Sequence, residues 1–222
     1  QKTKLQVYFT LNFIVALMAW FISWRALLFF SFYIFLIWFY SHKLKKIVFI
    51  GNLSAALLAV WPFFAILLYY YQPTSIEELE RHKDHFAVII AHASFLFLLI
   101  LIRELIKDLE NLKGDLANNY HTIPVFYGES WSKRISTVLT ILTLVPVYIL
   151  IELYDVGYMD IYFYSSLIVL LFFLLLLWQS NNKTHYIRLH NILKFLIVAG
   201  VFCIVLINPS VLWHGKNWLL KQ

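Results

Sequence analysis

The chain is short of charge, glycine and cysteine. Lys, Arg, Asp and Glu make up 14% of its 222 residues, where a soluble domain carries near a quarter. So few charges cannot wet the surface of a soluble enzyme. A hydrophobic content of 62% excludes a disordered segment. Cys203 is the only cysteine, which excludes an internal disulfide framework and a cysteine-based zinc site. Six glycines leave little for helix contacts of the GxxxG kind, so bulky aromatics are expected to fill helix interfaces or line a cavity. Acids are the scarcest charges, and none occurs from Gln1 to Ile76.

What remains is apolar and aromatic: 20 Phe, 14 Tyr and 8 Trp. Charge-free windows run over Leu5–Trp24, Ala26–His42, Ile47–Ile76, His85–Ile102, Ile135–Ile151, Ile161–Asn182 and Phe195–Gly215. A helix needs about 20 apolar residues to cross a bilayer, and strands or loops cannot cross because their backbone groups go unpaired. The expectation is an all-α, polytopic transmembrane bundle of about seven helices. Arg25 alone separates the first two windows, so a tight turn is expected near Ser23–Arg25. Ser75 and Glu78 have the spacing of a capping box opening a short outer helix over Ile76–Asp84. Trp213 and Trp218 suit an interfacial aromatic belt.

The charges between windows set an orientation. With the N-terminus in the cytoplasm, 13 of the 18 basic residues lie inside, as the positive-inside rule requires. These include Lys43, Lys45 and Lys46, the stretch Arg103–Arg134 and a loop read as Lys183–Lys194. The high isoelectric point is then topological, and neither a nucleic-acid nor a protein partner is expected.

One inside stretch is dense in polar groups. Glu104, Asp108, Asn111 and Asp115 are spaced by 4, 3 and 4 residues, which puts them on one stripe of a continuing helix. Carboxylates at the end of a membrane helix normally face a polar cavity. Asp108 and Asp115, with Asn111 as a neutral oxygen donor, have the chemistry to hold Mg²⁺ beside substrate phosphates, and Arg103, Lys107 and Lys113 lie alongside. The same spacing also suits a solvated helix end laced with ion pairs. His92, in mid-span, reads as packed and hydrogen-bonded to a neighbouring helix. His185 and His190 read as structural or interfacial, and Cys203 as inert packing.

The run Arg103-Glu104-x-x-Lys107-Asp108-x-Glu110-Asn111-x-x-Gly114-Asp115, followed by Thr122-Ile123-Pro124-Val125-x-x-Gly128, resembles the second aspartate-rich motif of the UbiA-type intramembrane prenyltransferases. Tyr40-Ser41-x-x-Leu44-Lys45-Lys46, with Gly51-Asn52, resembles that family's loop between its fourth and fifth helices. The resemblance implies that residues 1–222 form one transmembrane prenyltransferase domain holding helices three to nine of nine. It also implies a chain that starts part-way along a longer protein, after a first aspartate motif.

Carried over residue by residue, the resemblance gives Asp108 and Asp115 the holding of Mg²⁺ on a prenyl diphosphate. Asn111 stands where the family usually has Asp, and His121 where it has Arg or Lys. Lys45 matches a basic residue that meets the diphosphate; Lys46, Asn52, Arg103 and Lys107 are further candidates for it. The implied activity is Mg²⁺-dependent transfer of a prenyl group through an allylic cation to a lipid or aromatic acceptor. The branch most similar is that of geranylgeranylglyceryl phosphate geranylgeranyltransferases, with quinone-pathway enzymes the alternative. A transporter fits less well, since its ionisable sites sit near the midplane and the midplanes here lack Asp, Glu, Lys and Arg.

Overall fold

The structure is a computed structural model that describes residues 2–70, 83–154 and 156–203. Among these residues every regular element is helical. α1 spans Lys2–Ile22, α2 Trp24–His42, α3 Ile50–Tyr70 and α4 Lys83–Ala117. A short 3-10 turn, Leu44–Lys46, separates α2 from α3. Then come α5 (Ile123–Tyr127), α6 (Glu129–Leu142), α7 (Leu144–Tyr148), α8 (Met159–Gln179) and α9 (Lys183–Cys203). The capping box at Ser75, Trp213 and Trp218 lie outside the described residues.

Five helical stretches among the described residues are long and apolar enough to cross a membrane: Trp24–His42, Phe86–Ala117, Glu129–Leu153, Met159–Gln179 and Lys183–Cys203. Gln6–Ile22 and Ile50–Ala65 are shorter apolar helices. The all-helical, polytopic expectation holds. The large apolar residues that remain exposed, such as Phe13, Trp20 and Phe172, form a surface that lipid solvates and water does not.

α4 is the spine of the bundle and touches α3, α5, α6, α7 and α9. Phe95, Leu99, Ile102, Ile106 and Leu109 are all buried and recur at steps of 4, 3, 4 and 3, the apolar stripe of one helix face. Leu170, Phe173 and Leu177 of α8 and Leu189, Leu193 and Leu196 of α9 meet them in one cluster. A second cluster joins α3 to α4 through Ala56, Val60, Ala93, Ile100 and Leu101.

Breaks in the helices are accounted for locally. Ser23 adopts an extended conformation, and its hydroxyl caps α2 by accepting from the Ala26 N–H. Pro62 lies inside α3 and cannot bond the carbonyl four residues back; the Tyr33 hydroxyl of α2 donates to that Leu58 carbonyl at 3.0 Å. The span read as Ile135–Ile151 is one path interrupted after Leu142. Pro146 has no N–H to continue the ladder, and the turn Ile149–Leu153 is π-helical.

Two expectations change. Lys183–Lys194 is helical rather than a loop. The His185 and Tyr186 N–H groups bond the Asn182 carbonyl, and Tyr186 begins the buried stripe of α9. A search for charge-free windows misses this, because polar side chains can occupy the outer face of a helix whose inner face is packed. Close packing of small residues does occur: Ser132, Ser136 and Thr140, each four apart, are the buried stripe of α6. Hydroxyl residues do there what glycine does elsewhere, with Thr140 returning its O–H to the Ser136 carbonyl.

Candidate active site

α4 has 35 residues, a rod of about 52 Å against about 30 Å of hydrocarbon. Its apolar length is used up near Ile102, and the next four turns carry the polar stripe. The helix ends in a Schellman motif. Asn119 is left-handed at φ 53°, and the Tyr120 and Asn119 N–H groups bond the Asp115 and Leu116 carbonyls. This reversal brings Tyr120, His121 and Thr122 back alongside the stripe.

The opposite wall comes from the corner between α2 and α3. Gly51 is buried there. A Cβ on it would stand 3.1 Å from the Lys45 carbonyl oxygen and 3.3 Å from that of Leu44, so glycine lets the 3-10 turn lie on the start of α3. Phe49 is left-handed at φ 65°, at a cost of about 1–2 kcal/mol; the corner is tied by the Gly51 N–H to the Ile47 carbonyl at 2.9 Å.

Between these walls lies a cavity of about 140 Å³. Asp108, Asn111 and Asp115 line it from α4, with Glu104 and Lys107; Lys45, Asn52, Tyr40, Tyr120, His121 and Thr122 line it from the other elements. The stripe read from spacing therefore faces one pocket, and Lys45, 63 residues from Asp108 in sequence, is in its wall. The Lys45 ammonium stands 5.9 Å from the centre of the Tyr120 ring. Lys46 belongs to the same turn; its side chain lies outside the described residues.

The polar contacts distribute the candidates unequally. Asn52 is buried and donates its amide to Asp108 Oδ2 at 2.7 Å. One carboxylate oxygen of Asp108 is thus held by the protein. Arg103 and Lys107 both pair with Glu104, at 2.5 and 2.8 Å. Arg103 is absent from the cavity wall, whereas Lys107 remains in it. Glu104, 6% exposed, is a site residue that the spacing placed on the stripe without a role. Its role is to hold two cations beside the cavity. Tyr40 and Tyr120 were also not among the sequence candidates. Beyond the cavity, His190 of α9 bonds Glu110 Oε2 at 2.8 Å and fastens the other face of α4.

Among the described residues no cluster of three or more His, Cys, Asp or Glu side chains is placed to hold a metal. Of the cavity's acids and amides, Glu104 is paired with Arg103 and Lys107 and the Asn52 amide with Asp108, which leaves the carboxylates of Asp108 and Asp115 and the Asn111 amide. These are hard oxygen donors and suit Mg²⁺, which keeps several waters and is usually held by one or two carboxylates plus substrate phosphates. A divalent cation held by these three groups would keep the rest of its coordination for water and substrate phosphates.

A buried polar knot fixes the neighbouring helix ends. Lys133 of α6, 6% exposed, donates to the Ser180 carbonyl at 2.5 Å and pairs with Glu129 at 2.9 Å. The Tyr186 hydroxyl donates to Glu129. The α8–α9 turn is thereby tied to the start of α6, just beyond Thr122–Gly128.

The sequence pattern of the UbiA prenyltransferase family matches residues 1–193. Curated relatives named digeranylgeranylglyceryl phosphate synthase are similar to the chain. The protein from Methanosphaera stadtmanae is 31% identical over 55% of this chain and 41% of its own length. That from Pyrococcus horikoshii is 28% identical over 67% of this chain and 50% of its own. A stretch of 55 residues, 23% of this chain and 20% of the relative, is 46% identical to the protein from Methanopyrus kandleri. The chain thus spans about half the length of the curated relatives it matches most extensively. No solved structure matches it.

Proposed function

The chain belongs to the UbiA prenyltransferase family, and on that premise we propose that it serves an integral-membrane enzyme that transfers a prenyl group from a prenyl diphosphate to a glycerophosphate lipid. One observation carries the reading: Asp108, Asn111, Asp115 and Lys45 line one cavity at a helix end. The lipid acceptor, rather than an aromatic ring, is supported by the name that the relatives share. Lys45 meets the diphosphate, and Asp108, Asn111 and Asp115 hold Mg²⁺ against it. The bound cation supplies positive charge where the leaving group develops negative charge.

The step is a substitution. The allylic C–O bond breaks and its electron pair leaves with the diphosphate. A hydroxyl oxygen of the acceptor then bonds the allylic carbon and gives up its proton. Lys45 and Lys107 lower the cost of the departing charge. Asn52 orients the Asp108 carboxylate. Tyr40 and Tyr120 offer ring faces to cationic carbon at the cavity wall, and the packed helices below exclude water from it. The excess of basic residues at this end supports a cytoplasmic site.

The test uses the full-length protein with labelled geranylgeranyl diphosphate. Geranylgeranylglyceryl phosphate is offered as lipid acceptor and 4-hydroxybenzoate as aromatic acceptor. Product is expected from the lipid alone, lost on chelation and restored by Mg²⁺. Product from the aromatic acceptor would move the chain to the quinone-pathway reading, and product unaffected by chelation would remove the metal.

A further inference from the structure

A second polar cavity, sharing no lining residue with the first, opens between the end of α8 and the start of α9. It holds about 220 Å³ and is lined by Leu176, Gln179, Ser180, His185, Arg188 and Leu189. Its floor is fixed: Leu189 and Ser180 are buried, and the Ser180 carbonyl is held by Lys133.

The charge at this mouth is unbalanced. Neither the Arg188 guanidinium nor the His185 ring has a hydrogen-bond or ion-pair partner among the described residues. Glu110 and Glu129, the carboxylates that these helix ends approach, are already engaged. Glu110 takes His190, and Glu129 takes Lys133 and Tyr186. A guanidinium beside a cavity with no protein acid to meet it suits an oxyanion, above all a phosphate.

The surface below the mouth says which source of phosphate. Ile168, Phe172 and Leu175 lie 11, 7 and 4 residues before Gln179, on its own face of α8, and all are exposed. On α9, Phe195, Val198 and Phe202 continue below Arg188 and are exposed too. Two apolar ridges thus descend from one cationic cup, for about 16 Å along α8. Trp178, half exposed beside Gln179, has the amphipathic ring that settles at the level of the headgroups.

We propose that this groove binds an anionic membrane phospholipid, with its phosphate against Arg188 and His185 and an acyl chain along the α8 and α9 ridges. Basic pockets between membrane helices take anionic headgroups in this way. The proposal is independent of the prenyl-transfer reading.

The experiment measures thermal unfolding of the full-length protein in neutral detergent while short-chain phosphatidylglycerol, phosphatidylcholine or inorganic phosphate is titrated. Phosphatidylglycerol is expected to raise Tm saturably, and the other two are not. Arg188→Gln and His185→Gln should each leave the lipid-free Tm within a degree or two, because Arg188 is exposed and His185 half-buried, and neither side chain has a partner to lose. Arg188→Gln should raise the half-maximal phosphatidylglycerol concentration by about tenfold, the loss of one charge-assisted contact. Arg134→Gln, a cation on α6 standing over the Trp131 ring, should not change it. A phosphatidylglycerol response that Arg188→Gln leaves intact would overturn the proposal, as would equal loss in Arg134→Gln or an equal response to inorganic phosphate.

Discussion

Asn52 touches the candidate catalytic carboxylate from another helix, and its loss gives a quantitative test. The amide donates to Asp108 Oδ2 at 2.7 Å from a residue 8% exposed, so little water is at hand to replace it. A hydrogen bond to a charged group contributes about 1.5–3 kcal/mol. If all of that acts on the transition state, Asn52→Ala lowers kcat/KM by about 10- to 100-fold. Asp108→Asn keeps the side-chain shape but replaces an oxygen ligand, and loss of one such charge-stabilising group costs about 10²–10³-fold. Because Asn52 is argued to act through Asp108, the two losses should not multiply. Asn52→Ala in the Asp108→Asn background should cost about threefold or less, a coupling of about 1–3 kcal/mol. The assay is prenyl transfer by the full-length protein, with gel-filtration profile and Tm as controls for folding. A double variant whose loss equals the product of the single losses would refute the reasoning and give Asn52 a separate role.

Three further outcomes are expected. Lys45→Met should lower kcat/KM for prenyl diphosphate about tenfold in steady-state kinetics, since an ammonium at the cavity wall both meets the bound diphosphate and lowers the cost of the charge that departs with it; an unchanged kcat/KM would remove Lys45 from the reaction. Lys133→Met should destabilise the fold by about 2–3 kcal/mol, below the full cost of breaking a buried pair because Glu129 keeps Tyr186; thermal unfolding within a degree of the parent would show that the knot is dispensable. In a Cys203→Ser background, cysteines at Asn118 and Asn182 should be shielded from an impermeant thiol reagent outside intact cells, and one at Gly157 should react; the reverse labelling would invert the proposed orientation.

The stripe on α4 was readable because helical periodicity is local. Steps of 4, 3 and 4 place Glu104, Asp108, Asn111 and Asp115 together whatever the rest of the chain does. The apolar windows were readable for a similar reason, since lipid demands uninterrupted hydrophobicity over a fixed length. Contacts between distant residues have no such signal. Asn52 reaches Asp108 across 56 positions and His190 reaches Glu110 across 80, and nothing in their spacing announces either pair. The assignment of Arg103 and Lys107 to a phosphate missed their acid for another reason. Glu104 is in the same stretch, but which of several neighbouring charges pair depends on rotamers that sequence does not show. The start of α9 was misplaced because the absence of charge reports lipid contact, and a helix can begin well before lipid does.

The unbroken α4 also restricts how this chain can drift in length. Adding or deleting one residue between Ile102 and Asp108 turns everything beyond it by about 100°. Asp108 would then leave Asn52, and Glu110 would leave His190. A heptad change restores the rotation to within about 20°, yet it would slide the stripe about 10 Å along the axis, away from Lys45 and the α2–α3 corner. Neither kind of indel preserves both the angle and the height of the cavity wall. Length changes that leave the cavity intact are therefore expected in the turns, with α4 held at constant length from Ile102 to Asp108.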